Sequence, residues 1–264
     1  MHEGTFVFLC APRTGPAIDG VSADLDVVFS HRAILELIRK YTRDGGEKVD
    51  YAAWKDTHDD LAALDDQVAL IAKVSPQSHP ELFPTSKHRR SFWINAYNTL
   101  VLHAVLEHWP LESVRDLKIS LSSRVVQGKG FFYDRELVVG GKETNLYRLE
   151  QEVLDTQKDP RLHFALNCGS TSCPVLRPWE WTEEQLDEAA REFINNSDNV
   201  AIKDTKLILS SIFKWYRKDF PKDIYSYLQQ YADSGLKQQL QVAKDNQYHK
   251  RYRTYDWSLN AHGN

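Results

Sequence analysis

His163, Cys168 and Cys173 stand in one short run, Leu162-His163-Phe164-Ala165-Leu166-Asn167-Cys168-Gly169-Ser170-Thr171-Ser172-Cys173-Pro174, which holds two of the chain's three cysteines. Four chemistries use such residues. A cysteine nucleophile needs an imidazole as base and a third group to orient that ring. His163 or His103 supplies the base, with Asn95, Asn98, Asn167 or an acid as orienter, and Asn95 or Asn167 also able to polarise the oxyanion. A Cys168–Cys173 disulfide would close a short loop, as is reasonable in an exported protein. A dithiol redox pair is the third option, although the spacer is longer than that of C-x-x-C motifs. A zinc site built from His163, Cys168 and Cys173 lacks a fourth ligand and ranks last. No metal and no cofactor is expected.

Local geometry narrows the roles without settling them. Positions four apart share a face in a strand and in an α-helix alike, so His163 and Asn167 are expected on one side and Cys168 on another. A His163–Cys168 dyad therefore requires the chain to bend just before Gly169. Ser170-Thr171-Ser172 offers capping hydroxyls, and proline is favoured as the first helical residue, which predicts Cys173 at a helix start. A thiolate there is stabilised by free amides and the helix dipole. Cys168, at the end of an apolar element, is either a nucleophile or a buried inert thiol.

The elements that must hold this run are mostly helical. Apolar spacing predicts helices over residues 29–42, with Ser30 as cap, and over residues 51–74. Residues 91–108 are apolar over much of the circumference, which places that helix at the centre of the core. On it, Asn95 and Asn98 share one face and Trp93 and Tyr97 another. Buried amides cost about 1–3 kcal/mol each when unsatisfied, so both asparagines need polar partners, and the His163–Asn167 face is the natural candidate. Short β-branched and aromatic runs at 118–126 and 129–139, with Gly140-Gly141 as a turn, predict a small sheet or hairpin. Helices are expected at 145–154, from Thr182 towards Ile194, at 212–220 and at 224–231, with a hairpin at 200–209 turning at Asp204-Thr205. Trp215, Tyr216 and Phe220 read as core, and so do Trp257 and Leu259 as anchors of a terminal motif. The fold class expected is α+β, helix-rich, with a small antiparallel sheet and a broad likeness to papain and transglutaminase folds.

Composition bounds the rest. The chain has 264 residues, 42% hydrophobic and 27% charged, with a net charge of −4, an ordinary globular balance that argues against a nucleic-acid scaffold. Basic clusters at Lys87-His88-Arg89-Arg90 and Lys250-Arg251-Tyr252-Arg253 read as solvated surface. No apolar stretch is long enough for a transmembrane segment. Residues 1–25 read as a loose leader, in which Thr5-Phe6-Val7-Phe8-Leu9-Cys10 is either a frayed terminus or the end of a truncated signal. A single globular domain is expected over 26–264.

Four ordered motifs carry a family resemblance: Phe92-Trp93-Ile94-Asn95-Ala96-Tyr97-Asn98; His163-Phe164-Ala165-Leu166-Asn167-Cys168-Gly169 with Ser172-Cys173-Pro174; Trp215-Tyr216-Arg217-Lys218-Asp219-Phe220; and Tyr255-Asp256-Trp257-Ser258-Leu259-Asn260. Together, from about residue 85 to 260, the chain resembles the family known as domain of unknown function 547. The resemblance implies that Trp93, Asn95, Tyr97, Asn98, His163, Asn167, Cys168, Ser172, Cys173 and Pro174 occupy motif positions. It also implies envelope or secreted relatives in bacteria, and neighbouring glutaredoxin-like domains in eukaryotes.

The functional expectation is a site with Cys168, Cys173, His163 and Asn95 as catalytic candidates. Asn98, Tyr97, Asn167 and Ser172 are its ligand-binding candidates, for a small-molecule or peptide ligand. A cysteine-dependent hydrolase or acyl transferase leads. A non-catalytic envelope or binding module with a Cys168–Cys173 disulfide and a thiol redox protein are the alternatives. Oligomeric state is not legible.

Overall fold

The computed structural model describes residues 29–120, 122 and 124–263. The expected leader, with Cys10, lies outside the described residues. In chain order the elements are α1 (Arg32–Tyr41), β1 (Thr42–Arg43), β2 (Lys48–Val49), α2 (Tyr51–Lys55), α3 (His58–Lys73) and α4 (Ser86–Glu107). Then come β3 (Leu137–Val139), β4 (Lys142–Thr144), α5 (Leu146–Gln157) and α6 (Glu183–Asn195). The last are β5 (Val200–Lys203), β6 (Lys206–Leu209), α7 (Ile212–Trp215), α8 (Ile224–Tyr231), α9 (Ser234–Asp245) and β7 (His249–Tyr252). The fold is α+β and helix-rich. Nothing in this element order singles out a papain or transglutaminase fold.

α4 is the axis of the core. From Arg90 to Leu106 all but one of its side chains are buried, and it packs against α2, α3 and α5. It starts a turn and a half earlier than the apolar run suggested, because the Thr85 hydroxyl accepts the His88 N–H at 3.2 Å. Within the basic cluster, Arg90 is not solvated surface. Its guanidinium donates to the Trp181 carbonyl at 3.2 Å and to Glu183 at 2.6 Å, tying α4 to the start of α6.

Several elements depart from the sequence pattern for identifiable reasons. The single helix expected over residues 51–74 is two, α2 and α3. Thr57 leaves the helical conformation, and its hydroxyl donates to the Ala53 carbonyl at 2.9 Å. Among the described residues of 118–126 no strand forms. The chain takes turns and a π-helical turn, Gly130–Asp134, before the short β3–β4 hairpin at Gly140-Gly141. The N–H groups of Gly140 and Gly141 donate to Ile71 and Ala72 at 2.9 and 2.7 Å, closing the carbonyl end of α3. Gly140 has φ of +56°, and a Cβ there would meet the Ser75 hydroxyl at 2.1 Å, so no other residue fits.

The C-terminal sheet is mixed rather than purely antiparallel. β5 and β6 pair antiparallel around Asp204 and Thr205, both at positive φ, while β7 joins β6 in parallel. α8 and α9 form the crossover that parallel pairing requires. The chain turns at Tyr216, so α7 ends early and the helix expected through Phe220 is not continuous. The terminal motif then threads between distant parts. Val49 N–H donates to the Asn260 carbonyl at 2.9 Å, Asn260 N–H to Gly169 at 3.0 Å, and Leu259 N–H to Glu112 at 2.8 Å. No described helix is long and apolar enough to cross a membrane.

One buried polar group stands apart from this network. His31 packs against Phe29, with ring centroids 4.7 Å apart, and against Phe92. Neither ring nitrogen has a hydrogen-bond partner among the described residues. Burial pulls its imidazole down from 6.5 to about 3. A histidine whose folded value lies below its unfolded value costs the native state stability wherever the unfolded chain is protonated and the folded chain is not, and the cost is complete below both values. Its contribution is therefore intact above pH 6.5 and is lost progressively as pH falls towards 3. Urea titrations of the native chain and His31→Leu are expected to diverge in this window. The native chain should lose several kcal/mol relative to the variant, at about 1.4 kcal/mol per pH unit. Parallel pH profiles would contradict this placement of His31.

Candidate functional site

The motif run is held from two sides. On its N-terminal side Asp159 caps a 3-10 helix, Pro160–Phe164. Arg161 binds Asp159 and reaches Asp187 and Glu183 of α6 at 2.7 and 2.6 Å. Phe164 stacks on Phe193 of α6 with centroids 4.6 Å apart. On the other side stands the amide of Asn98. Its Nδ2 donates to the Ala165 carbonyl at 3.0 Å, and its Oδ1 accepts the Asn167 N–H at 2.9 Å. One buried side chain thus replaces the backbone partners that a strand or an α-helix would have given residues 165–167.

Beyond this clamp the chain makes a tight loop. Asn167 Nδ2 donates to the Pro174 carbonyl at 2.6 Å, and its Oδ1 accepts the Gly169 N–H at 2.8 Å, so one amide ties the loop's entrance to its exit. Gly169 turns at φ of +83°. Thr171 N–H donates to Ser258 at 2.8 Å, which staples the loop to the terminal motif. The sulfurs of Cys168 and Cys173 face each other at disulfide distance, with Cα atoms 6.3 Å apart. No helix follows Cys173, contrary to the expectation from Ser170-Thr171-Ser172 and Pro174. The Ser172 hydroxyl is engaged instead by the Asp256 N–H at 2.9 Å, and residues 174–180 run on as irregular chain.

Polar donors converge on one sulfur. Cys173 Sγ receives the Cys168 N–H at 2.9 Å, the Tyr255 hydroxyl at 3.2 Å and the Ser170 hydroxyl at 3.4 Å. Cys168 Sγ has only hydroxyl contacts, Ser170 at 3.2 Å and Tyr255 at 3.6 Å. Both cysteines are half-buried and line a cavity of about 460 Å³.

His163 lines the same cavity. Its ring lies against Tyr216 with centroids 4.2 Å apart, and Nε2 meets Asp219 Oδ2 at 2.9 Å. Burial pushes the imidazole below its ordinary value, against the upward pull of the Asp219 carboxylate. Glu150 of α5 is the cavity's acidic group. Tyr97 donates to it at 3.2 Å and Tyr216 donates to its other oxygen. Burial raises the Glu150 carboxyl, and the two phenols hold it back. Arg115 sits over the Trp257 ring at 5.3 Å and also reaches the cavity.

Of the residues singled out from sequence, Cys168, Cys173, His163 and Tyr97 therefore share one cavity. Asn95 does not line it. Its Nδ2 donates to the Trp179 carbonyl at 3.1 Å, and its Oδ1 accepts Trp181 Nε1 at 3.0 Å, which anchors the 179–181 segment to α4. Asn98 and Asn167 act on the loop backbone. His163 and Asn167 do not share the expected face, because a 3-10 turn places positions three apart in line and the chain leaves it before Asn167. Ser172 and Cys173 line a neighbouring groove of about 680 Å³. Sequence reasoning missed Glu150, Asp219, Tyr255 and the cavity-facing role of Trp215, Tyr216 and Trp257. The terminal motif and the Trp215-Tyr216 motif were visible as patterns, but apolar spacing cannot tell a cavity wall from a core.

The arrangement defines a helix-rich α+β protein with an aromatic cavity walled by a cysteine pair, a buried glutamate and His163, whose ring is paired with Asp219. Residues 83–194, which span α4, α5, the cysteine loop and most of α6, match the family model described as Protein of unknown function, DUF547. No curated protein and no solved structure matches the chain.

Proposed function

We propose that the domain is a thiol redox protein, in which the Cys168–Cys173 pair is a reducible disulfide serving a ligand held in the adjoining cavity. The observation that carries this is the convergence of an N–H and two hydroxyls on Cys173 Sγ. Disulfide sulfur accepts hydrogen bonds weakly and a thiolate accepts them strongly, so these donors favour the reduced form at Cys173. A substrate thiolate attacks Sγ of Cys168, and the S–S electron pair leaves to Cys173 as its stabilised thiolate. The substrate's second thiol then attacks the mixed disulfide at its own sulfur. The substrate leaves as a disulfide, and Cys168 takes up a proton.

Equilibration of the native chain against dithiothreitol buffers, followed by intact mass after alkylation, tests this. Reversible uptake of two alkyl groups without denaturant is expected, with a midpoint above about −300 mV, the range below which structural disulfides lie. A pair that resists millimolar dithiothreitol until the chain unfolds would leave only a structural cross-link in a non-catalytic binding module.

A second reading is supported by His163 and Asp219. With the pair reduced, a cysteine thiolate and the His163 imidazole share one cavity and the Asp219 carboxylate holds the ring at Nε2, the set a cysteine-dependent hydrolase or acyl transferase uses. Burst release of p-nitrophenol from p-nitrophenyl acetate by the reduced chain, abolished in His163→Ala, separates this reading from the first.

A further inference from the structure

We infer that the cavity takes a ligand bearing an organic ammonium group, held by the Glu150 carboxylate within a ring of aromatic side chains. This rests on the cavity being a ligand site, as proposed above, and names the ligand's chemistry. Glu150 is the starting point. Both of its oxygens accept hydrogen bonds from phenols, Tyr97 and Tyr216, so the side chain is fixed in place. Among the described residues no lysine, arginine or histidine forms an ion pair with it. It nonetheless keeps part of its surface open, and it lines the cavity. A carboxylate in such surroundings is incompletely solvated, and a bound cation would complete it.

The walls suit the same charge. Burial raises the Tyr133 and Tyr255 phenols and the Glu150 charge adds to it, so phenols from four parts of the chain share the cavity with this carboxylate. Trp215 is nearly half exposed, stacks at 5.6 Å on Trp257, and lines the cavity with it. The electron-rich faces of such rings attract a desolvated cation, and quaternary ammonium groups are well suited to a cage of this kind. Arg115 does not neutralise Glu150. Its guanidinium is engaged by the Trp257 face and by the Gln127 side chain. A volume of about 460 Å³ admits a small molecule rather than a folded partner. A neutral sugar could stack on the tryptophans, but it would leave the carboxylate without a counter-charge.

Choline and its uncharged isostere 3,3-dimethylbutan-1-ol isolate the charge, because they share shape and hydroxyl. Titration of each into the native chain, followed by tryptophan fluorescence and calorimetry, should give choline about tenfold or more tighter binding than the isostere. Glu150→Gln, which keeps an oxygen for the phenols, should erase that difference. Trp215→Ala, at an exposed position, should weaken choline alone. Equal binding of the two probes, an unchanged preference in Glu150→Gln, or no binding of choline at tens of millimolar would each overturn the inference. Reduction of Cys168–Cys173 is read in the same samples by mass. Loss of choline binding with a reducible pair therefore sinks this inference alone, and an irreducible pair with choline bound sinks the redox function alone.

Discussion

Replacing Asn98 with alanine is expected to lower folding stability by about 2–4 kcal/mol, because it orphans two buried backbone groups at once. The Ala165 carbonyl loses the Asn98 Nδ2 donor, and the Asn167 N–H loses the Oδ1 acceptor. Among the described residues neither group has another hydrogen-bond partner, and water has no ready access to a residue as buried as Asn98. The loss is a large share of the 5–15 kcal/mol that a domain commands. It also acts on the site, since the loop carrying both cysteines springs from the clamped segment. Denaturant titration checks the first part, with Asn246→Ala as reference. Asn246 donates to the Val242 carbonyl at 2.8 Å on an exposed helix end, and its loss should cost no more than about 0.5 kcal/mol. An Asn98→Ala variant as stable as Asn246→Ala would mean that the loop holds its shape without α4.

The clamp also shows what could be read from the residues alone. A strongly apolar helix bearing Asn95 and Asn98 has to satisfy their amides, and the requirement for polar partners follows from desolvation without any structure. The partners themselves did not follow. Asn98 meets the backbone of the cysteine run at Ala165 and Asn167, while Asn95 turns to Trp179 and Trp181, whose place beside α4 depends on the irregular segment before α6. Helix existence was legible wherever apolar period and a capping residue agreed, as at Thr182, whose hydroxyl and Gln185 cap each other's N–H groups. It failed where a single side chain overrode the pattern, as Thr57 does between α2 and α3. That Cys168, Cys173 and His163 would come together was legible because they sit close in sequence. Glu150, Asp219, Tyr255 and Trp257 were not, because each arrives from a distant element, and a carboxylate or an aromatic ring has no local signature of facing a cavity.

The second large effect is expected at the sulfurs. In the reduced chain Cys173 and Cys168 begin as equivalent thiols, and their surroundings make them unequal. A thiolate at Cys173 keeps the Cys168 N–H and the hydroxyls of Tyr255 and Ser170, whereas one at Cys168 has the same two hydroxyls, Tyr255 at a longer distance, and no N–H. Charge-assisted hydrogen bonds are about twice as strong as neutral ones, so the anion should reside on Cys173. Because the thiolate is the nucleophile, Cys173 should carry most of the reactivity near neutral pH. The preference should shrink in Tyr255→Phe, which removes one donor and keeps the ring that packs against Trp215 and Trp257.

Alkylation of the freshly reduced native chain with iodoacetamide at pH 7, with each cysteine read from its own peptide, tests the central claim most directly. Cys173 should label about tenfold faster than Cys168, and slower in Tyr255→Phe. Equal rates, or Cys168 labelled first, would contradict the assignment of Cys173 as the stabilised sulfur.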